Sequence, residues 1–135
     1  MGVQERATEL HLSGFNCAQS VLCSCAPYTG MDDRDALAVS AGFGGGLRCG
    51  EVCGAVSGGV MALSLCCPFT ESRDQAAKDK IAALAVAYTG AFREHFGTLR
   101  CEVLKGDKSR CGEYINFAAQ LAETMIMNNQ KKGEE

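Results

Sequence analysis

Proline and histidine are both scarce in this sequence of 135 residues, which contains two of each. Pro27 and Pro68 both fall where the surrounding pattern predicts the end of a helix, so neither interrupts a helix. No long segment shows the alternation of β-branched and polar residues that is typical of strands. These absences together predict an all-α fold.

A strong excess of charge is also missing. The formal net charge is -3, and the chain has no basic cluster apart from Lys131 and Lys132, which are expected to stabilise the end of the last helix. The chain therefore offers no broad electrostatic basis for binding nucleic acid. Near the N-terminus, Glu5, Arg6 and Glu9 interrupt the apolar stretch that a secretory signal requires, so we expect a cytoplasmic protein.

One segment without charge, between Glu51 and Glu71, is long enough to cross a bilayer. Glycine, serine, cysteine and Pro68 dilute its apolar character, and its flanks lack the aromatic belts and basic cluster of a membrane-spanning helix. We therefore predict no membrane insertion. The segment is better explained as a helix that is buried on all sides within a bundle.

Apolar periodicity and capping residues predict a single helical domain over residues 1–135, a bundle of five to seven helices around the glycine-rich central helix. Asn16, Asp32 or Asp33, Thr98 and Ser109 are the expected N-caps. Residues 130–135 are expected to form a frayed tail. The helices are predicted over about 3–13, 17–26, 33–40, 50–67, 72–96 and 99–105, and from 109 onward.

Cysteine is the residue that the sequence has in excess, with nine copies. A secreted disulfide scaffold would carry a signal peptide and usually an even number of cysteines. In a reducing cytoplasm, metal binding and transient redox chemistry are the leading uses of clustered thiols.

Four of the cysteines fall in the first turns of predicted helices, and these are Cys17, Cys53, Cys101 and Cys111. A helix start presents unpaired backbone N–H groups and a partial positive charge, which stabilise a thiolate and lower the pKa of a cysteine. We therefore predict four reactive thiolates that serve as redox groups or as metal ligands.

The other five cysteines differ in their expected roles. Cys23, Cys25, Cys66 and Cys67 are predicted to be small core residues, the usual role of a buried free cysteine. Cys49 would share a helix face with Cys53 if the glycine-rich helix begins early enough, and the two could then hold two corners of a metal site.

The glycines between Gly42 and Gly59 have two possible uses. Gly44, Gly45 and Gly46 permit a backbone path that is closed to other residues. Gly50, Gly54 and Gly58 would form a ridge on the next helix, which would let another helix or a cofactor approach closely. The spacing alone leaves open whether this ridge helps to form a site or serves helix packing only.

Five short segments together resemble the redox-active protein family named for its C_GCAxxG_C_C pattern. They are FNCAQSVL at Phe15–Leu22, AGFGGG at Ala41–Gly46, CGAVSG at Cys53–Gly58, FGTLRC at Phe96–Cys101, and Cys111. The family's four cysteines carry over to Cys17, Cys53, Cys101 and Cys111, and its motif carries over to Gly54, Ala55 and Gly58.

The resemblance implies a prokaryotic redox protein, with a bound prosthetic group such as an iron–sulfur cluster and with an oxidoreductase or a transporter as partner. The cysteines at positions 23, 25, 49, 66 and 67 are not part of the family's four-cysteine pattern.

Three functions remain open at this point. The first, ranked slightly above the second, is binding of an iron–sulfur cluster or a metal ion such as zinc by the four thiolates. The second is thiol–disulfide exchange, in which Cys101 and Cys111 form a reversible pair and Cys17 or Cys53 attacks or resolves it. The third is a non-catalytic helical partner, perhaps a homodimer, whose cysteines serve packing.

Overall fold

Eight α-helices account for most of residues 2–106 and 110–134, the part of the chain that the computed structural model describes. The all-α prediction is confirmed. Within these residues the only β-type pairing is an isolated antiparallel bridge between Val52 and Arg100. The helices are α1 (Val3–Leu12), α2 (Cys17–Ser24), α3 (Ala26–Thr29), α4 (Asp33–Ser40), α5 (Gly54–Cys66), α6 (Gln75–Phe96), α7 (Cys101–Leu104) and α8 (Cys111–Glu134). The short helix α3 is the one that the sequence did not predict as a separate element.

Polar side chains start several of these helices, as expected. Asn16 and Gln19 form a reciprocal capping box at the start of α2, where each side chain accepts a hydrogen bond from the backbone N–H of the other residue. Asp32 caps α4 by accepting a hydrogen bond from the backbone N–H of Arg34. Asp74 caps α6 in the same way, with Ala77 as the donor.

Two of the predicted N-caps, Thr98 and Ser109, are not confirmed. Thr98 does not cap α7, because the helix begins at Cys101 and its N-cap is Arg100; the Thr98 hydroxyl instead accepts a hydrogen bond from the Arg100 backbone N–H. The cap predicted at Ser109 lies outside the described residues. Helix α8 continues to Glu134, and the fraying of residues 130–135 stays a prediction.

Helix α5 lies at the centre of the bundle and packs against α2, α6 and α8. Its closest neighbour is α2, because a Cβ atom on Gly58 would lie only 2.6 Å from the carbonyl oxygen of Ala18. A Cβ on Gly54 would lie 3.1 Å from the Ala18 backbone nitrogen. These two glycines therefore allow the backbones of α2 and α5 to approach each other closely.

The glycine-rich helix begins later than predicted, at Gly54 rather than near Gly50. The cause is the preceding segment, in which Gly45, Gly46, Leu47 and Arg48 all have positive φ angles between 62° and 64°. Four consecutive left-handed residues form a tight turn that a right-handed helix cannot include. Gly50, with φ 77°, also lies outside the helix, so the predicted ridge of three glycines is reduced to Gly54 and Gly58.

The remaining core lies between α6 and α8. Tyr88 and Phe92 of α6 are fully buried, and the Tyr88 hydroxyl donates a hydrogen bond to the carbonyl oxygen of Ala118 at 2.9 Å. Along α8, Tyr114 is buried, and Phe117, Leu121 and Met125 are partly buried and pack against the core. The most deeply buried positions of this helix are Ile115, Ala118, Ala119, Ala122 and Ile126.

The apolar run does not produce a membrane-spanning helix in the described part of the chain. Helix α5 has 13 residues. None of the helices over residues 2–106 and 110–134 combines the length and the apolar character needed to cross a bilayer.

Candidate functional site

Four cysteines lie at the starts of four different helices, as the sequence predicted. Cys17, Cys101 and Cys111 are the first residues of α2, α7 and α8, and Cys53 is the N-cap residue of α5. None of these four thiols, nor any of the other five, is in a disulfide.

Backbone contacts bring the starts of α5 and α7 together. The Cys53 N–H donates to the carbonyl oxygen of Leu99 at 2.7 Å, and the Cys101 N–H donates to the carbonyl oxygen of Glu51 at 2.6 Å. The two bonds flank the bridge between Val52 and Arg100. Cys53 and Cys101 are therefore held on adjacent strand-like segments.

Glycine contacts bring the start of α2 next to the start of α5. Gly54 directly follows Cys53, and its Cα lies against the backbone of Ala18, which directly follows Cys17. A Cβ at Gly44 would lie 2.6 Å from the side chain of Asn16, the cap of α2. Gly54 and Gly44 thus allow the chain to hold Cys17 next to Cys53.

The electrostatics of the four thiols show that they share one region. Burial, together with negative charge on Cys53, Cys111 or Cys101, raises the pKa of Cys17 to about 12. Burial, with a smaller contribution from negative charge on Cys101 and Cys111, raises the pKa of Cys53 to about 11. The four cysteines, which lie far apart in the sequence, are therefore close enough for the charge of one to act on the others. We call this group the four-thiol site.

The direction of these pKa shifts corrects the prediction of low-pKa thiolates. At Cys53 the backbone N–H groups of Ala55 and Val56 do lower the pKa, but burial has the larger effect. Burial likewise raises the pKa of Cys101, against the lowering effect of the nearby Lys105 ammonium group. At neutral pH the apoprotein therefore holds Cys17, Cys53 and Cys101 as neutral thiols.

A glycine also positions Cys101. A Cβ on Gly46 would lie 2.7 Å from the Cβ of Cys101 and 2.7 Å from the backbone nitrogen and oxygen of Glu51. The Gly46 carbonyl oxygen accepts a hydrogen bond from the Glu51 N–H at 3.0 Å. The left-handed turn therefore packs directly against the backbone that holds Cys101.

Cys49 does not pair with Cys53 on a helix face, which corrects the sequence-based prediction. It lies in the irregular segment before α5, is exposed, and its thiol donates a hydrogen bond to the Gly46 carbonyl oxygen at 3.5 Å. The i, i+4 relationship required a helix that starts before Cys49, and the left-handed turn prevents such a helix.

The four cysteines that were assigned to the core are mostly buried. Cys23 and Cys25 are fully buried and Cys67 is nearly so, whereas Cys66 is half-buried. The Arg6 guanidinium donates to the Cys23 sulfur at 3.8 Å and also forms an ion pair with Asp33 at 2.6 Å.

The left-handed turn is the site feature that sequence reasoning missed. Leu47 and Arg48 carry no residue-type signal for positive φ, since such residues adopt it only when the surrounding structure imposes it. The run of three glycines before them was the only available hint. Lys105, whose charge acts on Cys101, was missed because a single lysine in a predicted short helix is not distinctive.

The donor set of the four-thiol site suits a thiolate-bound metal ion or cluster, because four cysteines are the ligands of tetrahedral zinc and of iron–sulfur clusters. The positions of the described side chains, however, do not match a site for a single metal ion. Across residues 2–106 and 110–134, no three Cys, His, Asp or Glu side chains are arranged as the ligands of a metal ion.

Comparison with protein-family models matches residues 15–125 to a family described as "Putative redox-active protein (C_GCAxxG_C_C)". The chain belongs to this family. The match spans all four helix starts of the four-thiol site, and it confirms the resemblance that the sequence motifs indicated. No curated protein and no solved structure matches the chain.

Proposed function

We propose that this member of the redox-active family binds an iron–sulfur cluster through Cys17, Cys53, Cys101 and Cys111. The observation that carries the proposal is the convergence of four cysteine-bearing helix starts, which backbone contacts and glycine packing support and which the effect of neighbouring thiol charge on Cys17, Cys53 and Cys101 also supports. These thiols lie far apart in the sequence, and packing of the helices alone does not require them to be close together. A bound group of high positive charge would stabilise the four cysteines as thiolates and would explain why they lie together.

Among the described residues, the lack of a ligand set for one metal ion favours a cluster over a single ion such as zinc. A mononuclear site needs all its ligands around one atom, and no such set of three is present among the described residues. A polynuclear cluster distributes its four thiolates over several iron atoms, so its ligands stand farther apart.

The chain's own residues have defined tasks in this proposal. The backbone N–H groups of Ala55 and Val56 stabilise negative charge on Cys53, and Lys105 does so on Cys101. Burial excludes water from Cys53 and thereby protects a bound group from solvent. When bound, a cluster of this kind accepts and releases single electrons.

Anaerobic reconstitution with ferrous iron and sulfide tests the proposal. The wild-type chain is expected to gain iron, acid-labile sulfide and visible absorption in a fixed ratio per chain. The variants Cys17→Ser, Cys53→Ser, Cys101→Ser and Cys111→Ser should each retain much less of both elements. Cys49→Ser is the matched control and should load like the wild type, because the exposed Cys49 lies outside the four-thiol site. Equal loading of all five variants, or no loading of the wild type, would refute a cluster at this site.

Thiol–disulfide exchange at the same thiols is the second candidate, and it is supported by the half-buried positions of Cys17, Cys101 and Cys111. Two reduced cysteines that an oxidant can reach would form one disulfide. This function predicts that the count of free thiols falls by two or four in mildly oxidising buffer without iron. The cytoplasmic location, the oxidoreductase or transporter partner and the homodimer stay predictions.

A further inference from the structure

A second group of thiols lies away from the four-thiol site, where α2, α3 and α5 end or begin. Cys25 directly follows the last residue of α2, and Cys66 and Cys67 are at the C-terminal end of α5. Helices α2 and α5 run in the same direction, so their C-terminal ends meet. At about 1.5 Å per residue, the 13 residues of α5 separate Cys66 from Cys53 by about 20 Å. The two groups of thiols are therefore independent of each other.

Hydrogen bonds connect Cys66 to Cys25 through α3. The Cys66 thiol donates to the carbonyl oxygen of Tyr28 at 3.7 Å. The backbone N–H groups of Tyr28 and Thr29 in turn donate to the carbonyl oxygen of Cys25 at 2.9 and 3.0 Å. One turn of helix thus joins the two cysteines. Burial, with a smaller contribution from negative charge on Cys66, raises the pKa of Cys25 to about 12, in agreement with their proximity.

We propose that Cys25 and Cys66 form a second redox site, a dithiol that a small dialkyl disulfide oxidises to an intramolecular disulfide. In the first step the Cys66 thiolate attacks one sulfur of the small disulfide, forms a mixed disulfide and releases one small thiol. In the second step the Cys25 thiolate attacks the Cys66 sulfur and releases the second small thiol. Two protein thiols are oxidised, one small disulfide is reduced to two thiols, and the two protons lost by the cysteines protonate the leaving thiolates.

Burial assigns the order of the two steps. Cys66 is half-buried and can be reached from solvent, whereas Cys25 is fully buried and can react only with a partner inside the protein. Cys67 is adjacent to Cys66, but its sulfur already has a partner, because the Asn129 side-chain amide of α8 donates a hydrogen bond to it at 2.9 Å. Cys25 is therefore the resolving thiol for Cys66.

Equilibration of the intact protein in glutathione redox buffers, followed by acid quench, alkylation and tryptic mass spectrometry, tests this site. Arg6, Arg34, Arg48 and Arg73 bound two tryptic peptides, residues 7–34 and 49–73. The first contains Cys25 but also Cys17 and Cys23, and the second contains Cys66 but also three further cysteines. A cross-link between the peptides is therefore informative only when fragment ions identify the bonded residues.

The wild type is expected to show a Cys25–Cys66 disulfide that glutathione reverses. Cys25→Ala, which keeps the core apolar, should stop at the mixed disulfide and accumulate glutathione on Cys66. Cys66→Ser should leave Cys25 reduced in every buffer, and the matched control Cys67→Ser should oxidise like the wild type.

The same experiment in a Cys17→Ser/Cys53→Ser background separates the second site from the four-thiol site. The Cys25–Cys66 disulfide should form there unchanged, so its presence does not depend on whether the four-thiol site binds a cluster. A disulfide between Cys66 and Cys67, or a Cys25 that stays reduced in the folded protein at all redox potentials, would overturn the proposal.

Discussion

Individual residues before α5 adopt backbone conformations that their residue types disfavour. Leu47 and Arg48 have φ angles of 62° and 63°, and a left-handed conformation costs about 1–2 kcal/mol for each non-glycine residue. Leu47 is 49% exposed, so its burial does not offset this cost. The hydrogen bonds from Glu51 to Gly46 and from Cys101 to Glu51 stabilise the turn instead. The conformation therefore depends on contacts with the segment that carries Cys101.

Gly46→Ala should destabilise the protein by about 2–5 kcal/mol. About 1–2 kcal/mol comes from the left-handed backbone, and a further 1–3 kcal/mol from the forced contact of the new Cβ with Cys101 and Glu51. Urea unfolding of the reduced apoprotein measures the change.

Gly90→Ala provides the control for this substitution. Gly90 lies inside α6 with nothing near the position of a Cβ, so alanine there should stabilise the protein by about 0.5–1 kcal/mol. A Gly46→Ala protein as stable as the wild type would show that the left-handed turn does not pack against Cys101 as described.

Helix starts are the elements that build the four-thiol site, and the start of α2 is the best defined of them. Asn16 caps α2 through its carbonyl oxygen, and its side-chain amide also donates to the carbonyl oxygen of Ala41 at 3.0 Å. This one side chain thus joins the helix that begins at Cys17 to the chain segment that leads into the left-handed turn.

Asn16→Ala should cost about 1 kcal/mol of stability and should also weaken the four-thiol site. Without the cap, the first turn of α2 frays, and Cys17 becomes more accessible to a thiol-specific alkylating reagent. The rate of Cys17 alkylation, followed by mass spectrometry, should therefore increase.

Asp74→Ala is the matched control, because Asp74 caps α6 by one similar side-chain hydrogen bond away from the thiols. It should lower stability to a similar extent without changing the alkylation rate of Cys17. Equal rates in both variants would mean that the cap of α2 does not control access to the site.

At the scale of the whole molecule, buried thiols make the apoprotein sensitive to alkaline pH. Burial raises the pKa of Cys17 and of Cys25 from about 9 to about 12, and that of Cys53 to about 11. Above about pH 9 the unfolded chain loses these protons while the folded chain retains them. The folded state then binds more protons, so the free energy of unfolding falls as pH rises.

The reduced apoprotein should therefore keep the full contribution of these thiols below about pH 9 and lose it progressively up to about pH 12. Urea unfolding between pH 8 and pH 11, under anaerobic conditions with a chelator, measures how steeply the free energy of unfolding falls with pH. Cys17→Ser should show a shallower decline than the wild type, because one titrating thiol is gone. A slope that is identical in the two proteins would contradict the raised pKa of Cys17.

The sequence was sufficient for those parts of the structure that local chemistry determines. Asn16 identified the start of α2, and with it the position of Cys17, because its side chain satisfies a backbone N–H of that helix. The pKa direction was wrong because the helix-end effect is local, whereas burial of Cys17 depends on how α5 packs against α2. The turn at Leu47 and Arg48 was not predictable because contacts with Glu51 and Cys101 impose it.

The distribution of the four-thiol site along the chain determines when it can form during synthesis. Cys17 leaves the ribosome long before Cys111, the last of the four, which begins α8. A nascent chain that lacks α8 also lacks the helix that covers α1 and α5, so its earlier thiols remain open to solvent. The complete set of four thiols therefore exists only after α8 has been made, and until then the growing chain depends on the reducing capacity of its surroundings.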